Sequence, residues 1–195
     1  MSRLMEHQID GRDFTIEELV DYGLLLFIAG LDTVANSLVF GMRHLAGDPA
    51  LQQRLRADPS RIPDAVEELL RRYGVVTVMR LVTRDADFGG VRLKGGDRVM
   101  LMLAAANLDP NSFPDPASFD LDRENKVHVT FNAGPHRCVG SHLARLELRV
   151  FYEEWFRRMP DVRLDPDGRP AFRAGLTLAL DRLPLLWDPQ SSNSL

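Results

Sequence analysis

Thr15-Ile16-Glu17-Glu18 forms a capping box, and Leu24, Phe27, Ile28, Leu31, Leu38, Phe40 and Leu45 carry a helical apolar pattern onward from it. The pattern runs to Gly47-Asp48-Pro49, a stop signal. Phe14 and Leu19 are spaced as a hydrophobic staple at its start. A helix this long and this apolar is expected to be largely buried, so the rest of the chain must be arranged around it.

A second helix is expected from Pro63, with Val66, Leu69 and Leu70 as its apolar face and Tyr73-Gly74 closing it; Glu68 and Arg71 then share one face. Residues 75–103 change texture to β-branched residues interrupted by Gly89-Gly90 and Lys94-Gly95-Gly96-Asp97, which reads as short strands and hairpins. Residues 109–125 hold three prolines and many turn formers, the signature of a long ordered loop. After Gly140 a third helix is expected, with Leu143, Leu146 and Val150 on an apolar face broadened by Phe151, Trp155 and Phe156, and Pro160 ending it. A β-rich piece over 172–187 and a disordered tail over 190–195 complete the chain. The fold class is mainly α with small β-sheets (α+β), in one domain spanning residues 1–195.

At 195 residues the chain can build a real core, and 45% hydrophobic with 27% charged residues is ordinary for a globular protein. A net charge of −4 supplies no global positive field, so nucleic acid is not an expected partner. The single cysteine excludes an internal disulfide and fits a reducing compartment, the cytoplasm. The most apolar run, residues 23–31, stops at Asp32 and is expected to be too short to cross a bilayer, so no membrane partner is expected.

That cysteine carries the chemistry. It sits in Phe131-Asn132-Ala133-Gly134-Pro135-His136-Arg137-Cys138-Val139-Gly140, directly before the third helix. A thiol between glycines can lie on a tight loop whose N–H groups approach the sulfur, and the positive helix end favours its thiolate, a metal ligand. His136, Cys138 and His142 also offer a zinc pattern, though without an evident fourth ligand. Asp32 and Thr33 interrupt an apolar helix, which is costly unless they are hydrogen-bonded or useful, and an acid beside a hydroxyl can relay protons. Taken alone, such a pair is commonly a kink or a solvent-facing pair, and Glu68 with Arg71 is commonly a weak surface ion pair.

Together these segments resemble the cytochrome P450 family. Phe131, Gly134, Cys138 and Gly140 match its haem-ligand loop, Ala29-Gly30-Leu31-Asp32-Thr33 matches the oxygen-activating stretch of its central helix, and Glu68-Leu69-Leu70-Arg71 matches its Glu-x-x-Arg motif. Glu67-Glu68-Leu69-Leu70-Arg71-Arg72, Arg61-Ile62-Pro63, the histidine at 136 and Leu183-Pro184-Leu185-Leu186-Trp187-Asp188-Pro189 resemble the bacterial camphor-hydroxylating branch. The resemblance covers the whole chain but only the C-terminal half of the family's usual length, so an N-terminally truncated haem-thiolate domain is expected.

The resemblance implies haem b (iron protoporphyrin IX) as cofactor, with Cys138 as axial iron ligand. It further implies Phe131, Gly140 and Gly30 near the haem, and Arg80 and His136 pairing with its propionates. Asp32 and Thr33 would deliver protons to dioxygen, and Glu68, Arg71 and Arg123 would form a buried structural support for the haem loop. Val76, Thr77, Val78, Leu176 and Thr177 match pocket positions of that branch; Val78 departs from it, standing where an Asp lies near a propionate. The implied activity is hydroxylation of a small hydrophobic, terpenoid-like substrate with dioxygen and electrons from a ferredoxin-type partner and its reductase. The alternative is a non-catalytic truncated fragment that binds haem weakly or not at all, in which the apolar flank at Leu24, Phe27 and Ile28 is exposed.

Overall fold

The computed structural model of the chain describes residues 5–188. The expected tail over 190–195 lies outside the described residues, as does Pro189. A small hairpin, β1 (Gln8–Ile9) with β2 (Arg12–Asp13), leads into helix α1 (Ile16–Ala46). Thr15 caps α1: its hydroxyl accepts the Glu18 N–H at 3.2 Å, and the Glu18 carboxylate accepts the Thr15 N–H at 2.9 Å. Arg12 grips the same carboxylate at 2.7 and 2.8 Å. The Phe14 ring packs edge to face on Tyr22.

Gly47 ends α1, and Asp48 caps α2 (Pro49–Ala57) by accepting the Leu51 N–H at 2.9 Å. A 3-10 turn over Pro59–Arg61 leads to α3 (Ile62–Arg72), with Pro63 in its first turn. The sheets are all two-stranded and antiparallel. β3 (Val78–Leu81) pairs with β6 (Arg98–Leu101), and between them β4 (Ala86–Phe88) turns through Gly89 and Gly90, both at positive φ, to β5 (Val91–Leu93). A short helix α4 (Leu103–Ala106) precedes the irregular stretch that carries Cys138, and α5 (Ser141–Arg158) follows it. β7 (Val162–Leu164) pairs with β10 (Leu185–Trp187), and β8 (Ala171–Arg173) with β9 (Ala179–Arg182).

The core lies where the end of α1 meets α2, α3 and α5. Leu45, Leu51, Leu55, Ile62, Val66, Leu70, Leu148 and Phe156 are buried in one cluster. Buried Gln52 joins three elements: its Nε2 donates to the carbonyls of Leu45 and Val162, and its Oε1 accepts the Val162 N–H.

Three expectations are corrected here. Helix α1 is not largely buried: its buried residues are Asn36, Gly41, Met42, Leu45 and Ala46, whereas Leu24, Phe27 and Ile28 are 55%, 66% and 61% exposed. The elements packed on α1, namely α2, α3, α5, β7 and β9, leave its first half uncovered. In α5 the expected Phe156 is buried and Phe151 and Trp155 pack against the core, but Leu143, Leu146 and Val150 are exposed, and Ser141, Leu148 and Tyr152 are buried instead. Both sets satisfy helical spacing, and the partners on α3 and α1 select between them. Among the described residues α1 is also the one helix long and apolar enough to cross a membrane by length and composition, so the run expected to be too short belongs to a longer apolar helix.

Candidate functional site

Three anchors shape the Cys138 loop. Upstream, buried Asn107 accepts the Val129 N–H at its Oδ1 (2.8 Å) and donates to Thr130 Oγ1 (2.7 Å), and the Thr130 hydroxyl donates to the Leu70 carbonyl at the end of α3. In the middle, Asn132 and Gly134 take positive φ (59° and 64°), reversing the chain. At the end, the Cys138 N–H donates to the Phe131 carbonyl at 2.8 Å, closing the loop, and the Cys138 carbonyl accepts the Ser141 N–H at the start of α5. The thiol is exposed. Val139 and Leu143 beside it leave apolar surface open.

Glu68 on α3 lies at the centre of a buried ionic junction. Arg71 holds it through two hydrogen bonds (2.7 and 2.8 Å), and Arg123 adds a third at 3.0 Å together with the Asp120 N–H. The remaining guanidinium donors are met by backbone carbonyls: Asn107, Pro116 and Ser118 for Arg71, and Pro114, Asp115 and Ser118 for Arg123. Burial drives the Glu68 carboxyl upward, but these donors outweigh it and hold its pKa below the usual value. One carboxylate thereby fixes the loop over residues 114–123 against α3.

The neighbouring Glu67 makes a second, separate junction. Arg145 on α5 contacts it at 2.6 and 3.0 Å, and the buried His128 ring reaches it through Nε2 at 3.2 Å. The Thr130 N–H donates to His128 Nδ1, so the Nε2 proton points at Glu67. Arg145 also lies over the Phe131 ring, 4.5 Å from its centroid. Sequence reasoning missed Glu67, His128 and Arg145, since their separations in the chain carry no local signal.

On α1, Gly30 is open: a Cβ built on it would meet nothing within 4 Å. Thr33 Oγ1 donates to the Ala29 carbonyl at 2.7 Å, and buried Asn36 donates to both the Asp32 carbonyl (2.8 Å) and Asp32 Oδ1 (3.0 Å). The Asp32 charge also reaches Arg173, which pairs with Asp181 across the β8–β9 hairpin. Asn36 is a further residue that sequence reasoning missed, although its i+4 spacing from Asp32 was a usable signal.

Val76 and Thr177 form an antiparallel bridge, flanked by hydrogen bonds from Thr77 N–H to the Leu176 carbonyl (2.8 Å) and from Leu178 N–H to the Val75 carbonyl (2.7 Å). Val76, Thr77, Leu176 and Thr177 are thus brought together, and Val78 begins β3 next to them. Thr77 is buried and Leu176 exposed. Arg80 lies on β3, where its Nη1 donates to the Met79 carbonyl, and His136 is exposed in the 3-10 turn Gly134–His136. No contact joins Arg80 and His136 among those found in the described residues.

Among the described residues no three His, Cys, Asp or Glu side chains converge as a metal-binding group, so His136, Cys138 and His142 do not form a chelating set. A lone exposed thiol on a closed loop suits an iron already held by a macrocycle, which needs one axial protein donor; a free zinc ion needs several. The residues present therefore fit haem ligated by Cys138.

The cytochrome P450 family model matches residues 1–170. "Probable cytochrome P450 127A1" of Sinorhizobium fredii is 39% identical over 187 residues, covering 96% of this chain and 45% of the relative. The steroid C26-monooxygenase of Mycobacterium tuberculosis strain H37Rv is 36% identical over 192 residues, covering 97% of this chain and 48% of the relative. The crystal structure of cytochrome P450 CYP101C1 superposes with a TM-score of 0.92 at 40% identity, over 96% of this chain and 48% of that one. CYP109E1 from Bacillus megaterium, solved with testosterone, gives 0.88 at 31% identity, over 96% and 52%. The chain spans about half the length of the relatives it matches.

Proposed function

Because this chain belongs to the cytochrome P450 family, we propose that it supplies the haem-thiolate part of a monooxygenase acting on a small hydrophobic, terpenoid-like substrate. The observation that carries the proposal is the Cys138 loop: an exposed thiol at the start of α5, fixed by the N–H bond to Phe131 and flanked by apolar surface. Haem b held there would supply the activation of dioxygen for insertion of one oxygen atom into a C–H bond.

Cys138 would hold the iron. Phe131 and Gly140 would border the haem, and Arg80 and His136 would donate to its propionates. Gly30 leaves α1 without a side chain at the point where dioxygen needs room. Asn36 occupies Oδ1 of Asp32, which leaves Oδ2 as the atom that can take up and pass on a proton; Thr33 Oγ1, next in the chain, can accept a proton, and would donate one onward only by giving up its bond to the Ala29 carbonyl. Glu68, Arg71 and Arg123 would support the haem loop indirectly, through the 114–123 segment they hold against α3 and the Asn107 carbonyl that Arg71 donates to, and would take no part in proton transfer.

Val76, Thr77, Val78, Leu176 and Thr177 would face the substrate, and their small or apolar character suits a compact hydrocarbon skeleton. The steroid chemistry in the name of the mycobacterial relative and the testosterone bound by CYP109E1 support that class. A ferredoxin-type partner with its reductase, in the cytoplasm, would supply the electrons.

The exposed first half of α1 favours a second reading, in which this chain alone is non-catalytic and holds haem weakly or not at all. One experiment separates the two: the carbon monoxide difference spectrum of the reduced, haem-reconstituted 195-residue chain, with Cys138→Ser as control. A red-shifted thiolate band lost in the control supports the haem-thiolate site. A native chain without that band supports the second reading.

A further inference from the structure

Glu67 stands apart from the Glu68 junction although the two are adjacent on α3. Its carboxylate contacts one residue on each side of the Cys138 loop. Upstream it accepts from His128 Nε2 at 3.2 Å; downstream it accepts two hydrogen bonds from Arg145 at 2.6 and 3.0 Å. The Phe131 ring lies near both donors, under the Arg145 guanidinium at 4.5 Å and 5.9 Å from the His128 ring. The Phe131 carbonyl in turn accepts the Cys138 N–H. A continuous set of contacts therefore runs from Glu67 through Arg145 and His128 to Phe131 and on to Cys138.

We propose that Glu67 is a positioning residue for Cys138, a carboxylate on α3 that clamps the two stems of the cysteine loop and thereby sets where the thiol sits. The proposal rests on the haem-ligand reading of Cys138 for its purpose, though not for its geometry. A loop whose stems are free samples many arrangements, and charge-assisted hydrogen bonds across the stems remove most of them. The carboxylate is well suited to this. Burial drives it upward, the donors His128 and Arg145 outweigh burial, and its pKa settles at about 2, so it stays ionised through the working range. It is also 30% exposed, and Gln in its place keeps a side-chain oxygen that can accept from the buried His128 Nε2.

Limited trypsin digestion of the full 195-residue chain tests the clamp without haem, because Arg137 immediately precedes Cys138 and is exposed. Cleavage after Arg173, exposed on the β8–β9 hairpin, reports general loosening in the same sample. In Glu67→Gln, cleavage after Arg137 is expected to rise about tenfold with no change after Arg173. Glu67→Asp keeps the charge but is too short to span both donors, and should give an intermediate rise. Unchanged cleavage after Arg137, or an equal rise at both sites, would overturn the proposal.

The reconstituted, reduced chain supplies the second readout. Glu67→Gln should lower the fraction of haem showing the carbon monoxide thiolate band, and Glu67→Asp should recover part of it. A native band that both variants leave untouched counts against the clamp. Absence of the band from the native chain defeats the haem-ligand reading instead, and the cleavage comparison still decides the clamp.

Discussion

Over residues 36–46 helix α1 is packed into the core, whereas over residues 16–31 Ile16, Val20, Leu24, Phe27 and Ile28 are each more than half exposed. The exposed end is the more apolar of the two. They differ in what surrounds them: the buried end meets α2, α3, α5, β7 and β9, and the exposed end has no comparable cover among the described residues. Apolar surface stabilises a fold only when water is removed from it, at about 25 cal/mol per Å². Leu24, Leu25, Leu26, Phe27 and Ile28 are consecutive and all exposed, so they point in every direction around the helix, and no single flat surface could cover them. Hydropathy therefore marks where cover is needed, and packing decides whether it is present.

The comparison can be broken most sharply at the well-packed end. Glu68→Gln would leave Arg71 and Arg123 buried without their counter-charge, and should cost about 3–5 kcal/mol in urea unfolding. A loss under about 1 kcal/mol would show that the backbone carbonyls alone hold these cations.

Acid should weaken the same region without any mutation. The Glu67 carboxyl titrates at about 2 when folded against 4.5 as its ordinary value, and Glu68 is also lowered. Both therefore bind protons more readily unfolded. Their contribution is present in full above about pH 4.5 and is lost as pH falls toward 2. His44, lowered from 6.5 chiefly by burial, acts in the same sense at pH values below 6.5. Thermal midpoints should fall steadily from pH 6 downward; a flat profile to pH 3 would contradict this.

Two glycines of the one helix sharpen the contrast. A Cβ on Gly41 would run into the buried Tyr152 hydroxyl and lie 3.1 Å from its Cζ and 3.2 Å from Leu69 Cδ1, so Gly41→Ala should destabilise by about 1–3 kcal/mol. Gly30→Ala meets nothing and should stabilise by up to about 1 kcal/mol through helix propensity. Equal effects at both sites, read from chemical denaturation, would mean the helix is uniformly surrounded.

The smallest effect on stability is expected at the exposed end. Leu24→Gln with Phe27→Gln should change unfolding free energy by no more than about 0.5 kcal/mol while reducing self-association in sedimentation velocity. A larger destabilisation would show that this face is covered in solution.

Much of the architecture was legible because it depends on neighbours within a turn or two. The Thr15 capping box, the Asp48–Pro49 break, Pro63 in the first turn of α3 and the Gly89-Gly90 hairpin each rest on contacts or φ values of nearby residues. The loop around Cys138 was legible as a glycine-framed turn before a helix. The face of α5 was legible only in part: Phe151, Trp155 and Phe156 do meet the core, whereas Leu143, Leu146 and Val150 and the buried Leu148 and Tyr152 both fit helical spacing. Nor was the Glu67 junction, because His128 and Arg145 lie on segments far along the chain and Glu67 differs little in local sequence from Glu68.

The sequence by itself determined where α1 begins and ends, where α3 and α5 start, where the chain reverses at Gly89-Gly90, and which residue offers a soft metal ligand, since cap hydrogen bonds, allowed φ angles and side-chain chemistry are properties of short segments; α2 was not read from it. Only the tertiary structure decided which half of α1 is buried, which face of α5 meets the core, and which acid serves which loop: Glu68 the segment at 114–123, Glu67 the stems around Cys138. Those outcomes depend on desolvation and on distances between segments remote in the chain, and an apolar or charged residue reads the same in the sequence whether or not a partner arrives beside it.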